Sequence, residues 1–290
     1  MTYELFIGEP RYSSWSLRGW LLFRRFGIPA RMTWVDFLNA KVADQLGNVP
    51  PARTVPCLRL PDGTVVWESL AIAEELASRH PDAGIWPTDP AARATARSLA
   101  AEMHAGFGAL REECQMNIGV AFEKVTPSAA VQADLDRLAT IWAHARRVCG
   151  GAGPWLCGDY SAADAFFAPV ATRIATYGLK VPPEAQAYVE AHLADGAFRR
   201  WRAMSVARGV ILPWYEKDLP HRPWPGPAPI PARAVAAGPS VNDTCPFSGD
   251  PVTDFAEIGG KVIGFCNPFC RDKSVADPEA WPEVAAIYQI

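Results

Sequence analysis

Val55-Pro56-Cys57-Leu58-Arg59-Leu60-Pro61-Asp62-Gly63-Thr64-Val65-Val66-Trp67-Glu68-Ser69-Leu70-Ala71-Ile72-Ala73-Glu74-Glu75-Leu76 is the stretch whose reading decides the fold. Residues 57–60 and 64–67 are short, largely apolar runs on either side of Pro61-Asp62-Gly63. Proline presets the first turn position, aspartate bonds its own backbone two residues on, and glycine tolerates a left-handed conformation, so the pair reads as a hairpin. Residues 68–79 then place apolar side chains at helical spacing. Upstream, residues 3–7 read as a buried strand, and 16–26 as a helix that stops at Gly27. Residues 31–37 alternate as a half-buried strand does. Residues 1–80 therefore form an α/β unit.

From Asp89 the pattern changes. Asp89-Pro90 supplies a helix cap followed by proline in the first turn, and Ala-rich helical patterns follow at about 91–118, 129–149, 162–177, 184–194 and 197–207. No strand pattern of comparable strength intervenes, so residues 88–215 read as an all-helical domain. Residues 218–244 hold seven prolines between Pro220 and Pro239 and no hydrophobic period, which predicts a linker. Residues 245–290 remain as a small cysteine-bearing module of 46 residues, a size that needs a staple, a metal or a partner surface to fold.

Composition narrows the function. The 290 residues carry 28 Lys plus Arg against 31 Asp plus Glu, so the basic footprint of a general nucleic-acid or anionic-membrane binder is missing. No apolar run reaches the roughly 18 residues of a membrane span, and the start lacks the basic and apolar regions of a secretory signal. With seven cysteines, far below the density of a disulfide scaffold, a cytoplasmic location is expected.

Tyr12-Ser13-Ser14-Trp15-Ser16 lies where a strand runs into a helix. A helix start offers free N–H groups and partial positive charge, so a serine there either caps the helix or donates to an anion such as a thiolate. Taken with Arg53, Val55, Pro56 and Leu58, with the string Trp67 to Leu76, and with Trp155-Leu156-Cys157-Gly158-Asp159-Tyr160-Ser161-Ala162-Ala163-Asp164, this turn resembles the glutathione transferase superfamily over roughly residues 3–207. Ser161 and Asp164 match that superfamily's capping box.

The resemblance implies a thioredoxin-like α/β domain followed by an all-α domain, usually as a homodimer. It also implies glutathione as co-substrate and a small electrophile as acceptor. A serine of the turn would hydrogen-bond the glutathione sulfur: Ser13 best matches the zeta-class S-S-C-S pattern, and Ser14 is the close alternative. Arg53, Val55, a cis Pro56, Glu68 and Ser69 would bind the rest of glutathione. Trp15 stands where the zeta pattern has cysteine, which argues against zeta-type isomerisation and leaves conjugation or thiol-dependent reduction.

Met103, His104, Phe107 and Arg111 are candidates for the second-substrate site. His104, Phe107 and Arg111 fall at i, i+3 and i+7 of the helix expected over 91–118 and so share one face, which either packs in the core or lines the acceptor. In the tail, Cys245, Cys266 and Cys270 have the spacing C-x20-C-x3-C, which resembles the TRASH/YHS treble-clef-like metal modules. They would hold Zn or Cu(I), with Asp243, Asp250 or Asp272 open as a fourth ligand; a disulfide or a metal-free module are the other readings. Two functions follow: a glutathione transferase, or a non-catalytic protein of that fold whose tail senses or carries metal.

Overall fold

The structure, a computed structural model, describes residues 2–123 and 125–289; Met1, Lys124 and Ile290, which fall in or end the segments defined above, lie outside the described residues. The chain divides into two compact units: residues 1–193 with 212–225, and residues 194–211 with 226–290.

The first unit opens with β1 (Tyr3–Ile7), α1 (Ser14–Arg24), β2 (Ala30–Trp34), α2 (Val42–Gln45), β3 (Cys57–Arg59), β4 (Val65–Trp67) and α3 (Ser69–Arg79). Its sheet runs β2-β1-β3-β4, with β1 and β2 parallel and the other pairs antiparallel. Parallel β1 and β2 require the crossover that α1 provides. The predicted hairpin forms: the Asp62 carboxylate accepts the Thr64 N–H at 2.9 Å, and Gly63 sits at φ 92°. α1 begins two residues before the expected start because Ser13 is its cap.

Six more helical segments and strands complete this unit: α4 (Pro90–Ala105), α5 (Gly108–Glu113), β5 (Ala121–Phe122), α6 (Ala129–Cys149), α7 (Ala162–Tyr177) and α8 (Pro183–Ala194). Asp89 caps α4 by accepting the Ala92 N–H at 2.8 Å. The helix expected over 91–118 is broken. Gly106 ends α4, Phe107 adopts φ 61°, and Arg111 folds back to donate to the Gly106 and His104 carbonyls at 2.9 and 3.1 Å and to that of Met103. Those bonds satisfy carbonyls a continued helix would have bonded itself. His104, Phe107 and Arg111 therefore do not share one helical face. α7 is buried along its length, and its capping box forms: Asp164 accepts the Ser161 N–H at 2.9 Å, the Leu156 N–H at 3.1 Å and the Tyr188 hydroxyl at 2.8 Å.

His192, at the end of α8, is 1% exposed, with its ring against Trp155 and Tyr188. Burial first, then the Arg25 charge, pushes its pKa down to about 3 from an ordinary 6.5. The unfolded chain therefore binds this proton at a pH where the folded chain does not. Stability is lost as the pH falls from about 6.5 toward 3. Denaturant midpoints measured across that window should decline on acidification, and His192→Phe should flatten the decline; an unchanged slope in the variant would remove this account.

The segment read as a linker contributes a strand to each unit. Residues 212–225 belong to the first, where β6 (His221–Arg222) pairs with β5. The second unit holds α9 (Gly196–Arg208), a sheet β7-β8-β9 (Ala232–Val235, Asp254–Ile258, Lys261–Phe265), α10 (Pro268–Ala276) and α11 (Pro282–Tyr288). α9, expected with the helical domain, packs instead on α10, and Arg199 pairs with Asp277 at 2.6 Å and Glu279 at 3.2 Å. This helix is the partner surface that a 46-residue tail lacks on its own.

Candidate functional site

β1 leads into a polar turn that is closed internally. The Gly8 N–H donates to Ser16 Oγ at 2.9 Å, and Ser13 Oγ lies 2.7 Å from Ser16 Oγ while accepting the Ser16 N–H at 3.3 Å. Ser13 is thus the cap of α1. Ser14, the first helical residue, is equally buried, yet its hydroxyl has no hydrogen-bond partner among the described residues.

Both serines line a cleft of about 380 Å³. Phe37, Val42, Arg53, Thr54 and Val55 line it from the α/β half, and Val55-Pro56 is a cis peptide. Arg111, Gln115, Met116, Arg173 and Tyr215 line it from the helical half and the returning segment. Tyr12, also in the lining, accepts the Leu212 N–H at 3.2 Å, donates to Glu216 at 3.0 Å and stacks on Tyr215, so the return of residues 212–216 is anchored here.

Of the expected glutathione residues, Arg53 and Val55 line this cleft with the serines, whereas Pro56, Glu68 and Ser69 do not. Glu68 precedes α3 at φ 74° with its carboxylate 3.6 Å from His104, and the Ser69 hydroxyl is buried without a partner. Of the second-substrate candidates, only Arg111 reaches the cleft. Met103 is fully buried and Phe107 nearly so. His104 packs its ring on Trp15 and Phe166, and burial first, then Arg18 and Arg111, lowers its pKa.

Three arginines dominate the local charge. Arg18 is 0% exposed, its guanidinium lies 4.4 Å over Trp15 and 5.0 Å over Phe166, and none of its nitrogens has a hydrogen-bond partner. Arg111 takes the Trp15 ring at 4.7 Å. Arg173, on α7, is 5% exposed. Arg18 and Arg173 are charges inside otherwise apolar helical runs, which is the only signal by which the sequence marks them.

In the second unit, β9 feeds Cys266, Asn267 caps α10 by accepting the Cys270 N–H at 2.9 Å, and Cys245 arrives from its own turn. The three sulfurs lie within 4.8 Å of one another, Cys266 and Cys270 are 4.0 Å apart, and all seven cysteines are free thiols. Ser248 and Asn267 donate to Cys266 Sγ at 3.3 and 3.2 Å. Burial works to raise the Cys245 thiol, but backbone N–H groups of Phe247, Cys266 and Ser248 outweigh it and bring the pKa down to about 7. Cys270 is pushed up to about 12 by burial, against the pull of Lys273. That lysine is buried over the rings of Phe247 and Trp281, at 3.4 and 4.3 Å. Asp243, Asp250 and Asp272 fall outside the cluster among the described residues, and Asp272 is taken by Arg271 at 2.7 Å.

Residues 12–79 match the family description "Glutathione S-transferase, N-terminal domain". A probable maleylacetoacetate isomerase of Caenorhabditis elegans is 40% identical over 73 residues, which span 25% of this chain and only 34% of that protein. Among solved structures, a glutathione transferase homolog from Burkholderia gl BGR1 with bound glutathione is 25% identical at a TM-score of 0.53, covering 71% of this chain and 98% of that one. A glutathione transferase from Methylococcus capsulatus is 26% identical at 0.51, covering 71% and 99%. No helix among the described residues is long and apolar enough to cross a membrane.

Proposed function

We propose that this chain, which has the glutathione transferase fold, is a glutathione-dependent transferase acting on a small electrophile. The observation that carries the reading is the unpartnered Ser14 hydroxyl at the start of α1, in one cleft with Arg53 and Val55. Bound there, the glutathione thiol gives its proton to water, and the sulfur is held as thiolate by the Ser14 O–H and the partial positive charge of the helix start. Its electron pair then forms the S–C bond at the electrophilic carbon of the acceptor. Either the bond to that carbon's leaving group breaks and the group departs with its electron pair, or an activated π bond breaks and the resulting carbanion takes a proton from water. Ser13 serves as the cap that fixes the turn. A homodimer in a reducing cytoplasm belongs to the same reading. Calorimetric titration with reduced glutathione should give saturable binding at one site per chain, competed by S-hexylglutathione; no heat with either ligand would remove the reading.

A second reading concerns the tail, and the convergence of Cys245, Cys266 and Cys270 within 4.8 Å favours it. Three soft thiolates, one already stabilised by N–H donors, suit Zn²⁺ completed by water or a three-coordinate Cu(I). The tail would then carry or sense metal, beside the transferase activity or in place of it. Protein purified under reduction should retain about one equivalent of zinc or copper. Cys245→Ser and Cys270→Ser should each lose it, and acid should weaken it as the thiols reprotonate. Metal-free protein that takes up neither ion on reconstitution would overturn this reading, and the glutathione titration would be untouched.

A further inference from the structure

Arg111 and Arg173 in the cleft lining, and Arg18 behind Trp15, have no counterion among the described residues. None of Arg18, Arg111 and Arg173 makes an ion pair with a described residue, although Arg111 and Arg173 are close enough to disfavour the Arg18 charge, and Arg111 that of Arg173. Among the described residues, Asp134 is the carboxylate that favours the Arg111 charge, and it is engaged with the Leu110 N–H at 2.9 Å. Buried charge without a partner is costly, and sites that keep it generally use it. Trp15, with Arg18 on its ring at 4.4 Å and Arg111 at 4.7 Å, offsets part of that cost through its π face.

Donors remain open on the two arginines that line the cleft from the helical half, Arg111 and Arg173. Arg173 gives Nη1 to the Pro169 carbonyl at 3.1 Å, while its buried Nε has no partner. Arg111 spends Nε and Nη2 on the carbonyls that end α4, leaving Nη1 without a hydrogen bond. Guanidinium groups match carboxylates in shape and charge, and their planar fork is held in place by the bonds already made.

We propose that the acceptor subsite takes an electrophile bearing a carboxylate, held by Arg111 and Arg173 beside the serine turn. The proposal rests on the glutathione reading above and adds the charge of the second substrate. Arg18, which does not line the cleft, acts behind Trp15 and raises the positive potential there. Glutathione's own carboxylates and its thiolate are competing uses of the same charge, so the test holds both constant.

The probes are S-(4-carboxybenzyl)glutathione and its neutral amide, S-(4-carbamoylbenzyl)glutathione, titrated calorimetrically into the full chain. Both carry the same peptide and neither has a thiol, so they differ only in the group delivered to the acceptor subsite. The carboxylate conjugate is expected to bind at least about tenfold more tightly, the ratio one charge-assisted contact supplies, and the preference should shrink with salt. In Arg173→Gln, or in Arg111→Gln should the first fail to fold, the ratio should collapse toward one. Equal affinities in the unaltered protein would overturn the inference and leave the glutathione reading standing. A preference that survives both substitutions would overturn the assignment to these two arginines. Binding of neither conjugate would remove the glutathione reading and the inference with it.

Discussion

Asp164→Ala should destabilise the first unit by roughly 3–5 kcal/mol, the range for breaking a buried charged network. Asp164 is 0% exposed, and its two oxygens accept from the Leu156 N–H, the Ser161 N–H and hydroxyl, and the Tyr188 hydroxyl. Truncation strands four buried donors at once, each with a desolvation penalty of about 1–3 kcal/mol that local relaxation only partly relieves. Tyr188→Phe removes one donor and leaves the rest paired, so it should cost about 1 kcal/mol. Chemical denaturation followed by tryptophan fluorescence separates the two. A loss below about 1 kcal/mol for Asp164→Ala would mean that the box merely decorates the helix start. The consequence reaches the cleft, because α7 also carries Arg173 and Phe166.

Ser14→Ala should lower turnover by roughly 10- to 100-fold with the fold retained, the equivalent of one hydrogen bond to a charged group. The thiolate absorbance of bound glutathione should appear at a pH about one to two units higher in this variant, since a lost donor acts on the thiolate and not on the thiol. Ser13→Ala should behave differently. Its hydroxyl is occupied by Ser16, so its removal should cost about 1 kcal/mol of stability. The glutathione thiolate should still form at the usual pH. If Ser13→Ala abolishes turnover in a folded protein and Ser14→Ala does not, the donor is Ser13.

Local chemistry made the hairpin, the cap at Asp89 and the box at Ser161 legible, because each depends on side chains within three residues of the backbone groups they satisfy. The approach of Cys245 to Cys266 and Cys270 was legible for a related reason: β9 and Asn267 set two of the sulfurs on one short turn. Long-range devices were not. Gly106 and Gly108 mark a weak point on either side of Phe107, but not its left-handed backbone, which is accommodated by the Arg111 guanidinium folding back on the end of α4. The period that places His104, Phe107 and Arg111 on one face assumes an unbroken helix, and the break at 106–107 removes that face. Arg18 and Arg173 stand out in the sequence only as charges within apolar helical runs, and what surrounds them is set when α1 and α7 are brought together. α9 carries no sequence mark of belonging with α10.

That membership makes the second unit discontinuous in the chain: α9 comes first, residues 212–225 return to the first unit, and the remainder follows. On the ribosome, α9 is complete at Arg208 while its partner α10 has not been made, and the 68 residues 209–276 must still be added before α10 is complete. At about 5–20 residues per second, α9 waits on the order of 3–14 s for the helix it packs on. A chain halted near residue 217 never gains α10. Such fragments should be held by chaperones or cleared by proteases more readily than chains in which α10 is present, so α9 reports on whether its partner helix has been made.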